Sequence, residues 1–123
     1  MAKLDKKTAL KLLGQVVKEF GPDYRLPGLC TYFEEDINLV ATDKPSCIVG
    51  QVIARWGNPD AIALFKRYNG CGVRAEIFEE FLTPGAQAVL NAAQEVQDGW
   101  DYTDDGHEIH KTWGEALKAA RRA

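Results

Sequence analysis

Residues Ser46–Gly70 read SCIVGQVIARWGNPDAIALFKRYNG, and this stretch decides the fold class. Ser46 is a cap residue ahead of an apolar run, and Gly57 follows Trp56 as a stop, which predicts a helix over Cys47–Trp56. Asn58-Pro59 is a cap followed by proline at the first helical position, where its missing N–H costs nothing. That opens a second helix over Pro59–Tyr68, ended by Asn69-Gly70.

The same signals recur on either side. Asp5 can cap a helix over Lys6–Phe20, in which Ala9, Leu12, Leu13, Val16, Val17 and Phe20 recur at three- and four-residue spacing before Gly21-Pro22. Gly14 weakens that helix and suggests the close approach of another element. Thr83-Pro84 opens a helix over Pro84–Asp98, closed by Gly99. Thr112-Trp113-Gly114-Glu115 has capping-box spacing and opens Trp113–Arg122. A short helical turn is expected over Ala75–Phe81. Between Pro22 and Pro45 the pattern changes: Leu29–Phe33 and Ile37–Ala41 have strand composition, and Glu34-Glu35-Asp36 would turn between them. Trp100–His110 is polar, contains Asp104-Asp105-Gly106, and reads as a loop. The expected fold is α+β: one mostly helical domain over 1–123, with about five helices and a small antiparallel β-hairpin.

The 123 residues, 46% hydrophobic and 27% charged, suit one globular domain with a core of its own. No apolar segment of signal-peptide length follows Met1-Ala2-Lys3-Leu4-Asp5, and no run approaches the roughly 20 apolar residues that span a bilayer. The expectation is a cytoplasmic protein with reduced cysteines and no membrane partner. The net charge of −3 hides a pattern. Residues 1–25 carry six Lys/Arg and three Asp/Glu, residues 111–123 four and one, and residues 26–110 five and fourteen. Both ends are therefore basic and the middle acidic, so attraction to nucleic acid would rest on the ends alone.

Cys30, Cys47, Cys71, His107 and His110 are the residues zinc would recruit. Structural zinc usually takes two ligands from one tight knuckle, and no two of these cysteines are spaced for one. Cys47 sits at a helix start, where the macrodipole favours a thiolate, so a thiol nucleophile needs only a base within reach. Neither histidine is placed there by sequence. The helix pair of Ser46–Gly70 invites a helix-turn-helix reading, yet its second helix begins Pro59-Asp60-Ala61-Ile62, acidic and then apolar, the opposite of what base edges require. The carboxylate groups Glu34/Glu35/Asp36, Glu76/Glu79/Glu80 and Asp98/Asp101/Asp104/Asp105 sit in polar contexts and lack calcium-loop spacing. Gly70-Cys71-Gly72 lacks the Lys-Ser/Thr of a phosphate loop.

Cys30-x-Tyr32, Pro45-Ser46-Cys47-Ile48-Val49-Gly50-Gln51, Leu82-Thr83-Pro84, Ala92-Ala93-Gln94-x-x-Gln97-Asp98 and Thr112-Trp113-Gly114-Glu115-Ala116-Leu117 occur in that order over most of the chain. This string resembles a group of small uncharacterised proteins encoded by actinobacteria and their bacteriophages. The resemblance implies no activity, and the segment Trp100–Lys111 is longer than in that pattern. Physically, most of the shared string is caps and core. Gln94, Gln97, Asp98 and Trp113 are the candidates for more: Gln94 and Asp98 share a helix face, where they would bind a ligand or form a polar network tying the last two helices.

The expected function is a non-enzymatic protein that needs no cofactor and binds another protein, with an exposed hairpin edge as the contact. Self-association is left open. The alternative is a metal protein or thiol enzyme built on Cys30, Cys47 and a histidine. A DNA-binding regulator stands third.

Overall fold

In the computed structural model, which describes residues 2–27, 31–70 and 78–123, the caps set the helices. Asp5 accepts from Thr8 N at 2.8 Å and starts α1 (Lys6–Phe20); Gly21, at φ 95°, ends it. Ala9, Leu13, Val16 and Val17 form its buried face. Strands β1 (Phe33–Glu35) and β2 (Ala41–Pro45) pair antiparallel. Then come α2 (Ile48–Trp56), α3 (Pro59–Arg67) and α4 (Pro84–Gln97). A second antiparallel pair, β3 (Trp100–Tyr102) and β4 (Glu108–His110), precedes α5 (Trp113–Arg122). The described residues thus form an α+β fold of five helices and two two-stranded sheets. Among them, no helix is long and apolar enough to cross a membrane.

Helix α1 lies against α2, α4 and α5, and α4 lies along α5. One apolar cluster runs through them from Leu4 to Ala120. In it, the rings of Phe65 and Phe78 stack at 3.9 Å, with Tyr32 edge-on to Phe65 at 4.8 Å. Leu4 is stitched to the approach to α4: its N–H donates to Phe81 O at 2.8 Å and its carbonyl accepts from Thr83 N at 3.0 Å. The apolar residues of α2, Ile48 to Ile53, and Ala61 and Phe65 of α3 are buried, which commits that helix pair to the core.

Several expectations are corrected. The first hairpin is displaced toward the C-terminus: Glu34 and Glu35 are strand residues, and Ile37 to Val40 form the turn. The cause is Asp36, whose carboxylate accepts from Asn38 N (2.8 Å) and Val40 N (3.0 Å) and closes the chain into a turn despite its apolar content. Leu29 and Cys30 lie outside the described residues, as do residues 75–77 of the expected helical turn; Phe81 N and Leu82 N both donate to Phe78 O. Trp100–His110 is a hairpin and not a loop, because Trp100-Asp101-Tyr102 pairs with Glu108-Ile109-His110 across the turn.

Helix α2 is capped by Cys47 instead of Ser46: the Cys47 sulfur accepts from Gly50 N at 3.4 Å, while Ser46 N donates to Tyr32 O. Helix α5 shows half of the expected capping box. Thr112 Oγ1 accepts from Glu115 N at 3.2 Å, but the donors of Trp113 and Gly114 go to Tyr24 O and Pro22 O. The Pro22–Tyr24 segment, laid across the helix end, supplies acceptors for these two other orphan donors of the first turn. At Gly14 a Cβ would meet no atom within 4 Å among the described residues, so none of the described elements makes the expected approach. Gly50 is the glycine that does admit one, with Tyr32 O 1.9 Å from where its Cβ would stand.

Candidate functional site

Three of the four polar candidates come together at the C-terminal end of α4. Gln94 and Gln97 are buried, and both donate to the Asp98 carboxylate, Gln94 at 3.1 and 3.2 Å and Gln97 at 3.1 Å. Gln97 turns its Oε1 to Ile48 N at 2.7 Å, satisfying one of the orphan donors at the start of α2. This bond ties α4 to α2, a link that its sequence position did not suggest. Trp113 is elsewhere. Its indole is buried against Tyr24 and Phe20, ring centres 4.5 and 5.0 Å away, and its N–H has no hydrogen-bond partner among the described residues.

The thiol and imidazole candidates are dispersed as far as they are described. Cys47 is sealed from solvent at the head of α2. Cys30 and Cys71 lie outside the described residues. His107 is on the surface, 2.9 Å from the Asp105 carboxylate. His110 is buried, its ring stacked on Trp100 at 4.4 Å. Among the described residues, no group of three or more His, Cys, Asp or Glu is arranged to hold a metal ion.

The two hairpins carry the most unusual surface. Their turns are built alike. Asp36 N donates to Val40 O and Asp36 O accepts from Leu39 N; Thr103 N donates to His107 O and Thr103 O accepts from Gly106 N. Even the side-chain bond is repeated, with Val40 N bonded to Asp36 Oδ1 and His107 N to Thr103 Oγ1. Such three-residue loops place their last residue in the left-handed region, which suits glycine. The second hairpin complies with Gly106 at φ 86°, but the first has Leu39 there at φ 62°. A leucine in that conformation costs about 1–2 kcal/mol. Nothing in the interior compensates: Leu39 is 77% exposed, between Ile37 at 96% and Val40 at 58%.

The second hairpin is anchored to the chain before the first. Arg25 Nη1 donates to Asp101 Oδ2 and to His110 O, both at 2.7 Å, and Lys111 Nζ lies 3.2 Å from Asp101 Oδ1. Hydrogen bonds from Arg25 and Lys111 hold the Asp101 carboxyl below the usual aspartate range. Behind this clamp, Leu26, Pro27, Trp100, Ile109 and His110 line an open, mostly apolar recess of about 560 Å³. Leu26 and Pro27 also line a second hollow, shared with Glu34, Lys44 and Gln51 at the base of the first hairpin. Compared with protein-family models, curated proteins and solved structures, the chain matches none.

The exposed aromatics Trp100 and Tyr102 were missed as a surface feature when this segment read as a loop. Their signal was present. Alternation on both sides of an Asp-Gly pair marks a hairpin. Leu39 carried none, because no residue pattern announces an apolar side chain at a position made for glycine.

Proposed function

We propose that this chain is a small non-enzymatic protein of the bacterial cytoplasm that works by binding another protein, with the tip of its first hairpin as the principal contact. The observation that carries this reading is Leu39. It stands in a strained backbone conformation and is presented to solvent with Ile37 and Val40. Single exposed apolar residues are ordinary, but three within four positions on a projecting turn, one of them held at a conformational cost, are explained by a surface that buries them in a complex. The resemblance to proteins of actinobacteria and their phages belongs to this reading and does not carry it.

Comparative affinity capture tests it. The tagged wild-type chain and an Ile37→Ser/Val40→Ser variant are passed through lysate of the native host under the same conditions. Both substitutions lie on the exposed turn and leave the core untouched. Proteins retained by the wild type and lost by the variant are the expected result; the same proteins in the same amounts on both would refute the tip as the contact.

A further inference from the structure

The two basic ends of the chain, far apart in sequence, lie side by side in the fold. Helices α1 and α5 lie side by side and antiparallel: Phe20 at the end of α1 meets Trp113 at the start of α5, ring centres 5.0 Å apart. At the other extremity, Lys6 Nζ donates to Ala123 O at 2.7 Å. Lys7, Lys11, Gly14 and Lys18 follow one another at spacings of four, three and four, so they share a face of α1, about 16 Å long at 1.5 Å per residue. That face points away from the buried side formed by Ala9, Leu13, Val16 and Val17. On α5, Lys118 and Arg122 are likewise exposed, on a face that also carries the exposed Glu115, with Arg121 beside them and the buried Trp113, Ala116, Leu117 and Ala120 turned away. None of these six cations makes an ion pair with a described residue.

Two features of this surface run against the stability of the helices. The first turn of α1 holds Lys6 and Lys7 and no acidic residue, although the positive end of the helix dipole disfavours cations there; Asp5 at the cap offsets only part of this. Gly14 interrupts the middle of α1, and no described residue needs the space its side chain would take. Arginines 121 and 122, by contrast, suit the C-terminal end of their helix and need no further explanation. A polyanion running along the ridge would account for both costs. Its charges would answer the unpaired lysines, and the bare backbone at Gly14 would let it approach between Lys11 and Lys18.

We infer that the α1–α5 ridge binds the phosphate backbone of duplex nucleic acid, with Lys7, Lys11, Lys18, Lys118 and Arg122 contacting phosphates and Gly14 as the point of closest approach. The site is independent of the hairpin tip. The apolar faces of both helices are spent on the core, which leaves nothing on the ridge to insert into a lipid surface. Contacts to phosphates alone carry no sequence information, so the binding is sequence-independent.

The test is fluorescence anisotropy with a labelled mixed-sequence DNA duplex, using the full chain at several salt concentrations. The plot of log K against log salt should have a slope of about −4, the value for four to five neutralised phosphates. Lys11→Gln/Lys18→Gln and, separately, Lys118→Gln/Arg122→Gln should each weaken binding about tenfold at low salt and flatten the slope by about 2. Gly14→Ala should raise the melting temperature yet weaken binding several-fold. No binding at about 50 mM salt, wild-type affinity in the neutralised pairs, or wild-type affinity in Gly14→Ala would overturn the inference. So would phosphatidylserine vesicles or polyglutamate binding as tightly as the duplex at matched salt.

Discussion

The side-chain oxygen of Gln97 accepts the backbone N–H of Ile48 at 2.7 Å, so the last turn of α4 supplies a cap for the first turn of α2. Both partners are fully buried. Gln97→Leu keeps the volume and removes the acceptor, leaving a buried donor unsatisfied. The expected cost is about 1–3 kcal/mol, read as a lower urea midpoint with an unchanged slope. Wild-type stability in this variant would mean that Ile48 N finds another partner and that the network is dispensable.

The glycines of α1 and α2 should respond to the same substitution with opposite signs. At Gly50 an added methyl would stand 1.9 Å from Tyr32 O and 2.7 Å from its carbonyl carbon, backbone that cannot swing aside. Gly50→Ala should cost about 3 kcal/mol or more. At Gly14 the methyl meets nothing, and Gly14→Ala should gain up to about 1 kcal/mol from helix propensity. Thermal melts of the two variants beside the wild type are enough to see the difference.

Asp101 gives the stability curve part of its acid limb. Its folded pKa is depressed by hydrogen bonds from Arg25 and Lys111, so its contribution is fully present above the ordinary aspartate value of 3.8. The contribution is lost as the pH falls below that value and through the folded pKa. Asp101→Asn should therefore be less stable than the wild type near neutrality, with the gap closing under acid. Because the clamp is partly exposed, the gap should also narrow in high salt. Urea midpoints measured across the pH range would show a constant gap if the clamp contributed nothing through charge.

The helices were legible because each is bounded by local signals: Asp5 and Gly21, Asn58 and Pro59, Thr83 and Pro84 act within a few residues of themselves. What sequence misplaced depends on partners far along the chain. Ser46 could not be known to give its N–H to Tyr32, nor α5 to take caps from Pro22 and Tyr24, 92 and 89 residues before the donors at Gly114 and Trp113. The first hairpin went astray for a different reason. Ile37, Leu39 and Val40 have strand composition, and only the Asp36 carboxylate, bonded to two N–H groups within four residues, shows that they form a turn. Of the candidate site, the Gln94–Asp98 pair was visible from its helical spacing, but the bond from Gln97 to Ile48 crosses 49 residues and was not. The packing of the first helix against the last, which brings the two basic ends side by side, is a tertiary fact with no local trace.

Leu39→Gly is the substitution that separates cost from use at the hairpin tip, measured as melting temperature and as retention of host proteins on the same tagged chain. The tip reading predicts a variant more stable by about 0.5–1 kcal/mol, the left-handed strain being relieved in part against glycine's freedom in the unfolded chain, that has lost proteins the wild type retains. A stabilised variant that retains every one of those proteins undiminished would contradict it.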